Sequence, residues 1–351
     1  MSWAKSVIDK LNTIWIPHKH FRIAENELFT ALLTARPGEI ACLVGPSRVG
    51  KTSLVARLEP LVTGTPSVHD ENHMPVVTLS AGNSSTNGFL STKAFTASAL
   101  TAIRHPIYGD AADSPWDDQR LRVVERMPEG MLRGALQKAL KFRRTHFLVI
   151  DEAHHFMHIR GGITAAATFL DSLKCLAGDT GVRLVLVGTY QLLPLLQRSP
   201  HMLGRKIQVH FPRYRADVRD DIIAFHEILA GYSRELRLCG SASLRDWSEF
   251  LYTGSYGCLG LLHAWIRDAL RMAWIESSPS LKLKHFEMQE RIKEDSRSIG
   301  AEIADGERYI YGDKPAPAQK LEEVIKRRGA AAPKPFRRKP RRDVVGGEIR
   351  P

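Results

Sequence analysis

The sequence is built around one glycine-rich segment, Gly45-Pro46-Ser47-Arg48-Val49-Gly50-Lys51-Thr52. An apolar run at residues 39–44 precedes it, and an amphipathic run at residues 53–58 follows it. A strand, a glycine-rich loop and a helix in this order form a P-loop, whose backbone N–H groups and helix dipole bind phosphate. Lys51 is then placed to reach the β- and γ-phosphates of a nucleotide, and Thr52 to hold Mg²⁺. The segment predicts that ATP is bound by residues 45–52 together with Ser53.

A second motif is the apolar run at residues 147–150, which ends in Asp151 and Glu152. A buried parallel strand presents the residues at its carboxyl end to the edge of the sheet where ligands bind. We therefore expect Asp151 to support Mg²⁺ together with Thr52. We expect Glu152 to position and polarise the attacking water. A pair of carboxylates downstream of a P-loop is typical of a Walker B motif.

Three further residues are candidates for contact with the γ-phosphate. The apolar run at residues 182–188 ends at Thr189, which is placed to sense that phosphate. Arg198 and Arg205 precede the next apolar run, and a guanidinium in this position can reach the ATP of a neighbouring subunit. Surface charge is the alternative for either arginine, and the sequence leaves the choice between them open.

Apolar runs alternate with segments of helical periodicity. Strands are predicted at residues 39–44, 76–79, 147–150, 182–189 and 206–211, and helices at residues 89–103, 119–140, 164–177 and 190–197. This alternation predicts an α/β fold with a mainly parallel sheet sandwiched by helices. Helical periodicity at residues 218–230, 243–252 and 259–274 predicts a small C-terminal helical lid.

These patterns divide the chain into four regions. We expect an N-terminal arm at residues 1–36, a nucleotide-binding domain at 37–212, the helical lid at 213–300 and a flexible basic tail at 301–351. Apolar spacing predicts a helix over residues 3–15 of the arm and another over residues 25–33. In the turn between these helices, Ile16 and His18 either line an adenine pocket or pack against the domain.

The charge of the chain points to an anionic partner. Its 351 residues are too many for one compact core, and they carry a formal net charge of +12. Such an excess favours a partner beyond the nucleotide, most often nucleic acid. Part of it lies at residues 330–351, which can bind a phosphate backbone or a partner protein. Lys93 and Arg104, near the helix after the second strand, are candidates for contact with DNA phosphates, with solvated surface as the alternative.

Cysteine and histidine usage excludes several classes of protein. The four cysteines, Cys42, Cys175, Cys239 and Cys258, form no CxxC pair, which favours reduced thiols and a cytoplasmic protein. No apolar run is long enough to span a membrane, so we expect no membrane partner.

His154 and His158 have the spacing of a zinc helix, with His155 between them. No further ligand follows at a suitable spacing, and we predict no metal site there.

The order of these motifs resembles AAA+ ATPases, and more narrowly the TnsC/TniB family of ATPases that regulate DNA transposition, including those of CRISPR-associated transposons. The resemblance covers about residues 15 to 275. The P-loop, the Asp151-Glu152 pair, Gly188-Thr189 and the segment with Arg205 match in order. The narrower likeness rests on chain length, Trp15-Ile16-Pro17, Asp151-Glu152-Ala153-His154 and a compact lid.

The chain departs from many AAA+ proteins at the start of the third lid helix. A sensor arginine is common there, but Gly257-Cys258-Leu259-Gly260 offers none, and Arg267 follows later than the usual position. Signalling from the lid to the nucleotide through arginine is therefore in question.

The resemblance implies a homo-oligomer, a ring or helical filament, that forms on duplex DNA when ATP binds between subunits. Such an assembly marks an insertion site and recruits a transposase, and a target-selection protein or guide-RNA complex decides where it forms. Two alternatives remain: a DNA-remodelling motor or helicase loader, and an AAA+ signalling ATPase that does not need DNA.

Overall fold

The computed structural model describes residues 3–13, 16–63, 73–82, 88–109, 124–198, 204, 206–236, 238–289 and 293–312. Five parallel strands lie side by side in the order β2-β3-β4-β1-β5. They are β1 Ile40–Val44, β2 Val76–Ser80, β3 Phe147–Asp151, β4 Arg183–Gly188 and β5 Lys206–His210. The predicted parallel sheet is thus confirmed, and no strand end is shifted by more than one residue.

The strands β1 and β3 are buried at every position, as expected for parallel strands covered on both faces. Val44 at the end of β1 lies opposite Gly188 of β4 and His210 of β5. Ser80 of β2 lies opposite Asp151 of β3. The carboxyl ends of all five strands therefore meet at one edge of the sheet, where the predicted site residues lie.

The helices of the nucleotide-binding region are α2 Lys19–Thr34, α3 Lys51–Val55, α4 Leu58–Thr63, α5 Thr92–Ala102, α6 Glu129–Phe142, α7 Gly162–Thr180 and α8 Leu192–Arg198. A 3₁₀ helix, Ala153–His158, follows β3 directly. One apolar cluster joins α2 and α3 to the sheet through residues such as Leu28, Leu54 and Val185. Aromatic contacts also link Phe95 of α5, Phe156 of the 3₁₀ helix and Phe169 of α7.

Several helix boundaries differ from the predicted ones. The helix α2 begins at Lys19 rather than near residue 25, because the His18 side chain caps it by accepting from the Phe21 amide. The helix after the P-loop is interrupted at residues 56–57 and continues as α4. The helix predicted at 119–140 is described from residue 124 onward, and α6 begins after Pro128. Its predicted first residues, 119–123, lie outside the described residues.

The C-terminal region is helical, with α9 Arg219–Glu235, a 3₁₀ turn Leu244–Trp247, α10 Ser248–Ser255, α11 Leu259–Ile275 and α12 Leu283–Glu287. Its apolar cluster includes Phe225 of α9 and Trp265 of α11, both buried. The N-terminal helix α1, Trp3–Thr13, joins this cluster through Leu11. The predicted arm is therefore divided, because α1 packs on the lid helices and α2 packs on the sheet.

A last helix, α13 Lys293–Tyr311, runs through residue 301, where the sequence predicts the start of a flexible tail. Ile303 is buried against Cys258 and Leu261. The expected boundary therefore falls inside a helix. Sequence reasoning missed this helix because it is polar on average, with few large apolar residues, and because glycines form part of its packed face. Residues 313–351, including the basic cluster, lie outside the described residues.

No helix in the described ranges combines the length and the apolarity that a bilayer span requires. All four cysteines are unpaired; Cys42 and Cys258 are buried, and Cys175 and Cys239 are exposed.

Candidate nucleotide site

The two glycines that frame the P-loop are required by its surroundings. A Cβ added to Gly45 would lie 2.2 Å from the Phe211 carbonyl oxygen, closer than atoms can approach. Gly50 has a φ of +117°, a conformation that L side chains rarely adopt. The loop is thus fixed against the residue that follows β5, and its backbone has the turn that phosphate binding needs.

Lys51 is the buried cation of the site. Its side chain is 8% exposed, and its Nζ donates to the carbonyls of Gly45 at 3.1 Å and Pro46 at 2.8 Å. Burial lowers the pKa of Lys51, while the carboxylates of Glu152, Glu302 and Asp151 oppose that shift. The ammonium is therefore partly desolvated, which strengthens its attraction to a phosphate.

The two Walker motifs are joined by a direct contact. Thr52 Oγ1 donates to Asp151 Oδ2 at 2.9 Å, and the Glu152 amide donates to Asp151 Oδ1 at 2.8 Å. A hydroxyl and a carboxylate are the hard oxygen ligands that Mg²⁺ prefers. Thr52 and Asp151 therefore fit the predicted magnesium site in both chemistry and position.

Glu152 follows β3 in a left-handed conformation, with a φ of 54°. This conformation is uncommon and costly for a residue with a Cβ, and active sites often contain such strained residues. Its side chain is 43% exposed, and Oε2 lies 3.3 Å from His154 Nδ1. The carboxylate is thus accessible to water, beside Asp151 but not bonded to it.

Thr189 leaves the same sheet edge, directly after β4. It is 8% exposed, and its Oγ1 accepts from the Gln191 amide at 3.4 Å. Because β4 lies between β1 and β3, Thr189 emerges between the strands that carry the two Walker motifs. This is the position expected of a residue that senses the γ-phosphate.

Three histidines cluster beside Glu152. The ring centroids of His154 and His155 are 4.5 Å apart, and those of His155 and His158 are 5.7 Å apart. Burial lowers the pKa of His154 to about 4, with further contributions from His155, Lys51 and His158. Ligand atoms of Glu152, His154 and His155 all lie within 4.8 Å of one another. The sequence shows no further ligand at a suitable spacing from the histidines, but the fold brings the Glu152 carboxylate to them. The absence of a metal at this cluster stays a prediction.

Ile16 and His18 line a cavity of about 540 Å³ with Pro17, Lys19 and residues of α9. The His18 ring lies 6.1 Å from that of Phe211, which in turn is 3.6 Å from the position of a Gly50 Cβ. The cavity is therefore near the P-loop, as an adenine pocket would be. His18 Nδ1 lies 2.9 Å from the Tyr214 hydroxyl. Burial, and to a smaller extent the charge of His20, lower the pKa of His18 to about 3.

Of the remaining predicted residues, those that the structure describes are not gathered at this site. Arg198 is exposed at the end of α8, and Arg205 lies outside the described residues. Lys93 Nζ donates to the Glu125 carbonyl at 2.5 Å. Arg104 follows the other end of α5, so the two candidates for DNA contact are about 15 Å apart along this helix. They do not form one basic patch.

Two contacts of the P-loop escaped sequence reasoning. The Gly260 amide at the start of α11 donates to the Arg48 carbonyl at 2.8 Å, and a Cβ on Gly260 would lie 2.4 Å from that oxygen. The lid therefore contacts the P-loop through backbone, at the segment where a sensor arginine was sought. The second is electrostatic rather than a bond: the charge of Glu302 on α13 acts on Lys51. Its signal was hidden because it lies in the predicted tail.

A protein-family model described as an AAA domain matches residues 35–196, from the end of α2 through both Walker motifs to α8. The chain has the AAA+ P-loop fold. The AAA+ core is thus the sheet with its flanking helices, and the helical lid follows it. A search of the curated proteins finds no match.

Two solved structures share this AAA+ fold. The ORC2 protein of Aeropyrum pernix, in ADPNP–ADP complexes, has a TM-score of 0.51 and 16% identity, covering 82% of this chain and 72% of that one. The Aeropyrum pernix ORC1 protein in complex with DNA has a TM-score of 0.53 and 15% identity, covering 83% and 68%. At such identity the likeness concerns the fold, and function must be argued from the site.

Proposed function

We propose that this protein is an ATPase that binds ATP with Mg²⁺ at the P-loop. The observation that carries the proposal is the 2.9 Å hydrogen bond between Thr52 and Asp151, which joins the two Walker motifs. A threonine and a carboxylate far apart in sequence meet directly beside a buried lysine. This pairing is what magnesium-dependent phosphoryl transfer requires.

The residues divide the chemistry among them. The P-loop amides and Lys51 bind the phosphates and stabilise the charge that develops on them. Mg²⁺, when bound by Thr52 and Asp151, neutralises negative charge on the β- and γ-phosphates. Glu152 accepts a proton from the attacking water, because its side chain is 43% exposed and its carboxylate lies beside the His154 ring, at 3.3 Å. Thr189 donates a hydrogen bond to the γ-phosphate.

Hydrolysis should be measured on the wild type, Lys51→Ala and Glu152→Gln. Lys51→Ala removes the buried cation and should abolish ATP binding. Glu152→Gln should bind ATP as the wild type does but hydrolyse it about 10²-fold or more slowly, because an amide is a poor base. Lys138→Ala, an exposed lysine on α6, is the matched control and should behave as the wild type. Equal ATP binding by Lys51→Ala and wild type would refute the P-loop assignment.

The proposal extends to DNA and oligomers. We infer that subunits assemble on duplex DNA with ATP between them, and that Arg198 or Arg205 acts on the neighbour's nucleotide. The net charge of +12 supports an anionic partner. The DNA in the Aeropyrum pernix ORC1 structure belongs to that protein, and it makes DNA a reasonable first partner to test.

The finer proposal is a regulator of DNA transposition of the TnsC/TniB type. In this role the ATP-bound ring or filament marks a target, recruits a transposase and connects it to a target-selection protein or guide-RNA complex. The motif order and the compact lid support it. Electron microscopy with duplex DNA and a non-hydrolysable ATP analogue should show rings or filaments without strand separation. Separated strands would favour a remodelling motor instead, and ATP hydrolysis without DNA assembly a signalling ATPase.

A further inference from the structure

The helix α13 brings a carboxylate to the P-loop. Glu302 interacts electrostatically with Lys51, and the pKa of each group reflects the other. The backbone amide of Ser47 also favours the ionised form of Glu302, although burial dominates and raises the pKa of Glu302. Geometry places the helix there as well: Ile303, the next residue, packs on Cys258 and Leu261, which flank the Gly260 whose amide bonds to the Arg48 carbonyl. The helix α13 therefore lies beside the part of the lid that contacts the P-loop.

Packing of the whole helix holds Glu302 in this place. Arg213 binds Glu307 with two hydrogen bonds, from Nε to Oε1 at 2.7 Å and from Nη2 to Oε2 at 3.0 Å. A Cβ on Gly306 would lie 1.9 Å from the Tyr190 ring, so the helix backbone rests on that ring. Tyr190 directly follows Thr189. The position of Glu302 is thus set by contacts on the following turn rather than by its own side chain.

The contact is costly for the carboxylate. Glu302 Oε1 is buried and has no hydrogen-bond partner among the described residues. A buried carboxylate oxygen without a partner destabilises the state that contains it. The charge of Lys51 and the Ser47 amide therefore stabilise the Glu302 carboxylate, but one of its oxygens has no hydrogen-bond partner among the described residues. An anion that makes more hydrogen bonds can replace it.

We propose that Glu302 is an internal competitor of the γ-phosphate of ATP for Lys51 and the Ser47 amide, so that ATP binding displaces α13 from the P-loop. This inference rests on the proposed binding of ATP at that loop. A phosphate has more negative charge and more oxygens than a carboxylate, so it binds the same donors more strongly. Two anions beside one lysine repel each other, which disfavours their simultaneous binding. ADP lacks the γ-phosphate and displaces the helix less.

The first test measures equilibrium binding of a non-hydrolysable ATP analogue with Mg²⁺ by calorimetry. Glu302→Gln keeps the size of the side chain and removes its charge, and it should bind the analogue about tenfold more tightly than the wild type. Glu307→Gln weakens the anchor at Arg213 and should shift affinity in the same direction. The control is Asp305→Asn, an exposed acid on the same helix, which should leave affinity unchanged.

The outcomes separate this inference from the proposed function. If the wild type binds the analogue and Glu302→Gln binds it equally well, the competition is refuted while the ATPase proposal stands. If neither protein binds the analogue, both proposals are wrong.

A second measurement needs no variant at Glu302. Hydrogen exchange of the amides at residues 299–309 should speed up when the wild type binds the ATP analogue and change less with ADP. Lys51→Ala should show no change with either nucleotide. Slower exchange with the ATP analogue would mean that α13 closes on the nucleotide, and this result would overturn the inference.

Discussion

Burial determines the protonation of the histidines near the P-loop. The pKa of His18 is lowered to about 3 and that of His210 to about 4, in both cases mainly by desolvation. His18 Nδ1 accepts from the Phe21 amide at 3.3 Å, so this nitrogen carries no proton and the Tyr214 hydroxyl donates to it. Neutral His18 is therefore part of the folded structure.

Protonation of His18 should oppose folding. Its folded pKa of about 3 lies below the ordinary value of 6.5, so between these values the unfolded chain binds a proton that the native protein does not. Stability from neutral His18 is present above pH 6.5 and is lost as the pH falls. The free energy of unfolding should drop by about 1.4 kcal/mol per pH unit from this residue in that window.

Urea unfolding between pH 7.5 and 4.5 measures this effect. His18→Gln keeps a hydrogen-bonding side chain but does not titrate, so its free energy of unfolding should depend less on pH than that of the wild type. The same pH dependence in both proteins would show that His18 does not couple protonation to folding.

At the scale of elements, the start of α11 is linked to the P-loop without a side chain. The amide of Gly260 bonds to the Arg48 carbonyl, and Arg48 itself has a φ of 58°. A glycine is needed at residue 260 because any Cβ would collide with the loop. The contact gives the lid a route to the nucleotide that does not depend on a sensor arginine.

Gly260→Ala should therefore weaken ATP binding. The added methyl group would force the P-loop and α11 apart, and overpacking of this kind costs enough to lower affinity about tenfold. Gly231→Ala, in helix α9 with no atom within 4 Å of the new Cβ, is the control and should leave ATP binding unchanged. Fluorescence titration with a labelled ATP measures both. Unchanged affinity in Gly260→Ala would show that this contact does not shape the loop.

At the scale of the molecule, the active site is predicted to be shared between subunits. The double variant Arg198→Ala, Arg205→Ala should lose about 10³-fold in hydrolysis rate, because it lacks the cation supplied in trans. Mixed with Lys51→Ala, which is also inactive, it should recover part of the rate through hybrid interfaces. Steady-state hydrolysis across mixing ratios tests this. A double variant with the wild-type rate at every protein concentration would exclude the shared site.

Assembly on DNA should couple to ATP. If both ligands favour the assembled state, ATP raises the affinity for DNA and DNA raises the affinity for ATP by the same factor. Contacts to phosphates should make DNA binding nearly independent of sequence and steeply dependent on salt. Fluorescence anisotropy with several duplexes across salt, with and without ATP, measures these effects. If ATP leaves the affinity for DNA unchanged and no oligomer forms on duplex DNA, the DNA-dependent proposals are wrong. The protein would then be a signalling ATPase that does not need DNA.

The sequence by itself determined the parallel sheet, the P-loop and the Asp151-Glu152 motif. These features are local: burial on both faces demands continuous apolar strands, and phosphate binding demands glycines at fixed spacing. The meeting of Thr52, Asp151 and Thr189 at one sheet edge follows from how parallel strands align, whereas only the structure gives the strand order that places Thr189 between the two motifs.

Only the tertiary structure decided how the termini and the lid meet this core. The helix α1 packs on the lid, Gly260 contacts the P-loop through its backbone, and α13 brings Glu302 to Lys51. Periodicity identifies α1 as a helix but does not identify its partner, and the single residues Gly260 and Glu302 carry no periodic signal. In each case the partner lies far away in sequence. A glycine such as Gly260 allows two backbones to approach closely because it has no side chain. The need for that glycine is visible only when the neighbouring P-loop is in place.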